Sequence, residues 1–226
     1  MHHVRHSPAA TTLAPGTQSD ANVALVTLGG SQRARYHILI VDNSHSMTEA
    51  DWPPCRLVAA IAACVAYIAY LIRSAPESFV AVICFSDRAR VMCPWTSVAA
   101  FDDMDALQQQ WLKSCYASGL GNTAIGEGLQ EALILLQECK HPAQVVLLTD
   151  GHHNEGIDPE EVAPRVRALA TVAVVGIGGT PADVDEPMLR KIASAEGPGR
   201  PAYQWVGDQT ALVQHYRHLA GRVCRD

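Results

Sequence analysis

The sequence predicts an α/β domain: a three-layer, Rossmann-like, doubly wound sheet, mostly parallel with one antiparallel edge strand. Three observations carry this. Short apolar runs alternate along the chain with segments whose apolar residues recur at helical spacing, a pattern that produces crossovers between parallel strands and a sheet covered on both faces. The main strand-like runs are apolar on successive residues, as strands buried on both faces are. One short run, Ala89 to Cys93, suits antiparallel pairing with the run before it at an edge.

The elements follow in order. Ala21 to Leu28 reads as a strand stopped by Gly29-Gly30. Tyr36 to Val41 is apolar apart from His37 and ends at Asp42, as a central parallel strand does. Arg56 to Arg73 is a helix, with Pro53-Pro54 before it and Pro76 after it. Ser78 to Phe85 is a second buried strand, and Ala89 to Cys93 its edge partner. Phe101 to Ser114 reads helical, with Asp102 and Asp103 near its first turn. In Thr123 to Cys139, Ile125, Leu129, Ala132, Leu133 and Leu136 fall at helical spacing. Gln144 to Leu148 is a strand ending at Thr149-Asp150-Gly151. Pro159 to Ala170 is a helix opened by proline. Val172 to Ile177 is a strand closed by Gly178-Gly179, and Glu186 to Ala195 a helix started by Asp183, Asp185 and Glu186. Ala202 to Val206 and Thr210 to Ala220 supply a last strand and a last helix.

Bulk composition narrows the function. A chain of 226 residues that is 48% hydrophobic suits one large domain. We expect a disordered lead-in over residues 1–20, where His2, His3 and His6 belong to the tail, a domain over 21–221, and a short tail at 222–226. The formal charge of −6 and a pI near 5.9 argue against nucleic acid, whose binding leans on a basic surface, and against a polybasic membrane patch. Seven cysteines, Cys55, Cys64, Cys84, Cys93, Cys115, Cys139 and Cys224, are scattered without a CxxC pair. That implies a reducing compartment, hence a cytoplasmic protein, rather than a disulfide framework or a zinc site. Leu57 to Ile72 carries no charge but is Ala- and Cys-rich. It is shorter than the about 20 apolar residues of a membrane span, so a helix buried on the sheet is expected.

The chemistry collects at predicted strand ends and loops. In an open α/β sheet, ligands bind beyond the carboxyl ends of the strands, where strand order reverses. Asp42 and Asp150 follow two such strands, and Ser44 and Ser46 lie in the loop after Asp42. Thr123 follows the glycine-containing loop Gly119-Leu120-Gly121-Asn122 at the start of a helix. Two carboxylates and three hydroxyls form a hard-oxygen set that suits Mg²⁺, or Mn²⁺ or Ca²⁺, over zinc. With two formal negative charges, such an ion stays electron-poor and welcomes a carboxylate from a partner.

These residues resemble the von Willebrand factor type A (VWA) domain with a metal-ion-dependent adhesion site. That family's pattern is Asp-x-Ser-x-Ser, a distant Thr and a distant Asp, here Asp42, Ser44, Ser46, Thr123 and Asp150. Leu147 to Gly151, Gly121 to Thr123 with Gly126 and Gly128, and Val175 to Gly178 are also similar to family segments, and the likeness runs from about Ala21 to Ala220. The resemblance implies that Ser44, Ser46 and Thr123 touch the metal and that Asp42 and Asp150 often act through water. Many members have Gly where His45 stands; that position does not ligate. His45, Trp52, Asn122, His152 and His153 are the candidate partner-binding rim. The resemblance further implies a non-catalytic module that binds a partner's Asp or Glu within a multi-component bacterial system, alongside an AAA+ ATPase, a protein kinase or phosphatase, or a tellurium-resistance-type protein.

The alternative is a metal-assisted hydrolase or phosphatase using Asp42 or Asp150 as nucleophile and His152 or His153 as acid–base. A phosphatase-type Asp-x-Asp would need an acid where Ser44 stands. Gly176 to Gly179 lacks dinucleotide-loop spacing, Gly119 to Gly126 lacks a P-loop ending, and no GxSxG elbow is present.

Overall fold

The computed structural model describes residues 36–118, 120–139 and 141–223. The expected strand Ala21 to Leu28, the lead-in and the last three residues of the tail lie outside these. Strands β1 (Tyr36–Asp42), β2 (Phe79–Phe85), β3 (Ala89–Ser97), β4 (Ala143–Thr149), β5 (Ala170–Ile177) and β8 (Tyr203–Val206) form one sheet in the order β3-β2-β1-β4-β5-β8. Neighbours pair in parallel except β2 with β3, which is antiparallel at the edge. β6 (Ala195–Gly197) and β7 (Arg200–Pro201) form a separate small hairpin. The helices are α1 (Arg56–Ser74), α2 (Met104–Ala117), α3 (Ile125–Gln137), α4 (Pro159–Arg167), α5 (Glu186–Ile192) and α6 (Gln209–Val223).

Successive strand residues face opposite sides, and both sides are covered. Leu39, Val41, Val80, Val82, Val146, Leu148, Val175 and Ile177 join α1, α2 and α6 in one core. Ile38, Ile40, Ala81, Ile83, Val145, Leu147, Val172 and Val174 join α3, α4 and α5 in the other. This is the three-layer arrangement that uninterrupted apolar strands demand. Helix α1 is long and apolar enough to cross a membrane by composition, yet it packs against α6 and α2 with Leu57, Ile61, Cys64, Ile68 and Leu71 buried. Its Tyr67 hydroxyl meets His37 Nδ1 at 2.8 Å and donates to Gln144 Oε1 at 3.1 Å, which gives the polar side chain within β1 a buried partner.

The differences from expectation have local causes. Strand β3 runs on to Ser97, with irregular register against β2. Helix α2 starts at Met104 because Asp103 caps it, its Oδ1 accepting from the amides of Asp105 and Ala106. Helix α4 stops at Arg167 and Ala170 already pairs with Ala143 in the sheet. Helix α5 stops at Ile192 because Ser194 is tied to Val172 of β5, amide to carbonyl at 2.9 Å and amide to hydroxyl at 2.9 Å. Helix α3 begins at Ile125, so Thr123 stands in the loop before it.

Candidate metal centre

Strand β1 lies between β2, which follows it in sequence, and β4, which leads to β5 on the opposite side. The winding direction therefore reverses between β1 and β4, and a crevice opens beyond their carboxyl ends. Asp42 is the last residue of β1 and Asp150 directly follows β4. Both are buried, at 0% and 2% exposure. The Ser44 amide donates to Asp42 Oδ1 at 2.8 Å and the Thr149 hydroxyl to Oδ2 at 2.6 Å. The hydroxyls of Ser44 and Ser46 are 3.1 Å apart, and that of Ser46 donates to Asp150 Oδ1 at 2.7 Å. One continuous hydrogen-bonded chain thus joins four of the five expected residues, its link from Ser46 to Asp150 spanning 104 positions of sequence.

The loop carrying Thr123 is fastened at several points. The His45 amide donates to the Gly121 carbonyl at 3.0 Å, and the Ala124 amide to that of Ser86 at 2.9 Å. Asn154 holds Thr123 from both sides: Oδ1 accepts the Thr123 amide at 2.9 Å, and its own amide donates to the Thr123 carbonyl at 3.2 Å. A Cβ placed on Gly151 would lie 3.3 Å from the Thr123 hydroxyl oxygen and 4.0 Å from that of Ser46. Both hydroxyls therefore border the same glycine, and Ser46, Thr123 and Asp150 line one open pocket. Close approach also fixes the start of α3, where a Cβ on Gly126 would fall 1.8 Å from the Ile157 carbonyl oxygen. Gly126→Ala is expected to destabilise the protein by about 1–3 kcal/mol, because backbone must yield; an unchanged urea midpoint would refute this.

The electrostatics are those of a site short of positive charge. Burial pushes the Asp42 carboxyl up to about 7, and the charge of Asp150 adds to this against the bonds from Thr149 and Ser44. Burial also raises Asp150, against the bonds from Ser46 and Arg56. Among the described residues no three His, Cys, Asp or Glu side chains gather in a metal-binding group. An ion held here would therefore depend on the hydroxyls of Ser44, Ser46 and Thr123 beside the two acids, a donor set that favours hard cations.

Arg56 is the residue that sequence reasoning missed. Taken only as the start of a helix, it is 5% exposed and faces the site. Nη1 donates to Asp150 Oδ2 at 2.9 Å, Nη2 to Asp51 at 2.7 Å, and Nη2 lies 2.9 Å from Glu49. Burial works against its charge, but the hydrogen bonds of Asp51 and Asp150 outweigh this and hold its pKa above the usual value; in turn Arg56 holds Asp51 low. One sequence signal did exist: a lone cation in the first turn of a helix opposes the helix dipole and needs acidic partners.

Comparison with known families now bears on this geometry. The model of the von Willebrand factor type A domain matches residues 37–153, just over half the chain and all five expected site residues. The chain belongs to this family. Solved structures agree on the fold of this VWA domain. A von Willebrand factor type A protein from Catenulispora acidiphila superposes with TM-score 0.69 at 22% identity, over 84% of this chain and 43% of that one. Proximal thread matrix protein 1 from the mussel byssus, with a zinc-occupied metal-ion-dependent adhesion site, gives 0.66 at 21% over 84% and 46%. The PilB minor pilin from Streptococcus sanguinis gives 0.65 at 14% over 84% and 61%. The chain thus spans less than two thirds of each of these structures. A comparison with curated protein sequences returned no match.

The expected rim of the VWA domain is only partly at the surface. His45, Asn122 and His152 are exposed, and His152 lines the pocket. Asn122 is anchored, its amide to Asp87 and its side chain to Glu155. His153 is half-buried, with Nδ1 enclosed. Trp52 corrects the expectation. At 5% exposure it packs in the α1-side core rather than on the rim, since burying its indole removes a large apolar surface from water.

Proposed function

We propose that this VWA domain is a protein–protein interaction module in which Asp42, Ser44, Ser46, Thr123 and Asp150 hold one divalent cation that a partner's Asp or Glu side chain completes. The observation that carries this is the chain of hydrogen bonds from Asp42 through Ser44 and Ser46 to Asp150, with Thr123 beside it at the mouth of a pocket. Both oxygens of Asp150 are engaged, by Ser46 and by Arg56. Asp150 is therefore suited to act through Ser46 or water, and the ion keeps the electrophilic character that a partner carboxylate needs. Mg²⁺ is the expected ion, with Mn²⁺ and Ca²⁺ as alternatives; the zinc in the mussel protein makes Zn²⁺ the competitor to include.

The reading extends to a cytoplasmic role inside a multi-component system, with an AAA+ ATPase, a kinase or phosphatase, or a tellurium-resistance-type protein as partner. Nucleic acid and membrane are not among the proposed partners. The hydrolase alternative fares worse, because Asp42 is enclosed and accepts two hydrogen bonds, and both oxygens of Asp150 are already engaged by Ser46 and Arg56. Thr123→Ala is expected to weaken binding of Mg²⁺ and Mn²⁺ by about tenfold or more, roughly 1.4 kcal/mol, with unchanged circular dichroism. Equal binding by both proteins in titration calorimetry would overturn the assignment, and turnover of generic phosphoesters lost on Asp42→Ala would favour the enzyme.

A further inference from the structure

A second pocket, of about 410 Å³, lies where β2 turns into β3, lined in part by Asn43, Ser86, Asp87, Arg88, Arg90 and Ser118. β1 and β2 are parallel, so this pocket opens at the same carboxyl edge as the candidate metal centre. The two are close neighbours. Asn43 lines one and Ser46, three residues on, lines the other, which puts their backbones at most about 11 Å apart. On the other side the Asn122 amide donates to Asp87 Oδ1, while the next residue, Thr123, lines the metal pocket.

The charge of the second pocket is positive. Arg88 and Arg90 are both exposed, and among the described residues neither forms an ion pair with a carboxylate. Arg90 is held by the end of α2, where the helix dipole favours a cation, its Nη2 donating to the Ser114 carbonyl at 2.9 Å. Among the described residues all its hydrogen bonds leave from Nη2, so the donors on Nε and Nη1 are available. Asp87 is the one acid in the lining, and it is packed onto the neighbouring loop, where a Cβ on Gly121 would collide with its carboxylate. On a chain of net charge −6, two guanidiniums at one pocket without a carboxylate partner are arranged to receive an anion from outside. Two such charges are too few to track a nucleic-acid backbone.

We infer that this pocket receives a second Asp or Glu side chain, held by Arg88 and Arg90, from the same partner segment that brings its first acid to the cation. The first acid rests on the metal-dependent reading above; the second needs no metal. The fork of a guanidinium matches a carboxylate in two parallel hydrogen bonds, which gives the contact direction as well as charge. Each contact alone is weak at an exposed site. Joined on one segment, the second forms at the high effective concentration that the first creates. Asn43 fixes the spacing between the two, since its amide donates to the Phe85 carbonyl at 2.7 Å and its side chain to the Cys115 carbonyl and the Ser118 hydroxyl, each at 3.0 Å.

The test is calorimetric titration of the full chain with a capped hexaglutamate peptide, which is about 20 Å long when extended and so reaches both pockets. In EDTA the peptide should bind weakly, through the arginines, while hexaglutamine should not. Mg²⁺ should tighten hexaglutamate binding about tenfold or more. The double variant Arg88→Gln/Arg90→Gln should lose the binding in EDTA and weaken that in Mg²⁺ about tenfold, with its affinity for Mg²⁺ unchanged. Thr123→Ala should do the reverse, losing the gain from Mg²⁺ and keeping the binding in EDTA. Wild-type binding in EDTA with no gain from Mg²⁺ would count against the metal reading and leave the arginine pocket standing. Equal binding of hexaglutamate and hexaglutamine in EDTA would overturn the inference without needing any variant to fold. So would a phosphoserine peptide that binds about ten times tighter than hexaglutamate, because the pocket would then be one for phosphate.

Discussion

Arg56→Met is expected to lower the unfolding free energy by about 3–5 kcal/mol, the usual consequence of removing one member of a buried ion pair. Asp150 would keep its place in the interior without the guanidinium that now sits 2.9 Å from Oδ2, and both partners are almost wholly enclosed. Glu49 and Asp51 would lose the same counter-charge, but they are more exposed and add less. The double variant Arg56→Met/Asp150→Asn should recover much of the loss, because no charge is then stranded. Urea denaturation of the single and double variants measures both quantities. A single-variant loss below about 1 kcal/mol would show that the pair does not anchor the site. Divalent cation should partly rescue the single variant, since it supplies the missing positive charge beside Asp150.

The second large effect is a pH dependence. Asp42 is raised from 3.8 to about 7 by burial and the neighbouring Asp150 charge. Below the ordinary carboxylate range both the folded and the unfolded chain carry this proton. As pH rises toward 7 the unfolded chain releases it and the folded one retains it, so metal-free stability falls through that window, by an amount on the order of a few kcal/mol. Metal binding must expel the proton. Affinity for Mg²⁺ or Mn²⁺ should therefore drop about tenfold for each pH unit below 7 and level off above it. Calorimetry in buffers of different ionisation enthalpy, between pH 5.5 and 8, reads the proton release directly. A flat affinity across that range would mean that Asp42 does not face the ion.

The legible part of the fold lay in local patterns. Uninterrupted apolar runs announced strands buried on both faces, and helical spacing placed α1 and α3 to within two residues of their observed starts. Their ends were less legible where a distant group intervened. The pairing of Ser194 with β5 cut α5 short, whereas the start of α2 was set locally, by Asp103 capping it. The site shows the same division. Asp42, Ser44, Ser46, Thr123 and Asp150 were legible as candidates because each stands at a strand end or loop, where side chains are free to turn toward a ligand. Arg56 was not, because the partner that ties it to the site, Asp150, lies far along the chain, while the nearby Glu49 and Asp51 read only as acids of a loop. Trp52 was misplaced because nothing in a loop sequence says which side of the loop the core is on.

Taken alone, the sequence determined the doubly wound architecture and the oxygen-rich set at its switch point. Both follow from which residues are apolar at which period, and from which polar residues interrupt them. Only the tertiary structure decided how the charges are balanced. The burial of Asp42 and the guanidinium against Asp150 arise from side chains brought together across the sheet. The physical reason is that periodicity is a property of neighbours in the chain, whereas desolvation and Coulomb interactions depend on neighbours in space.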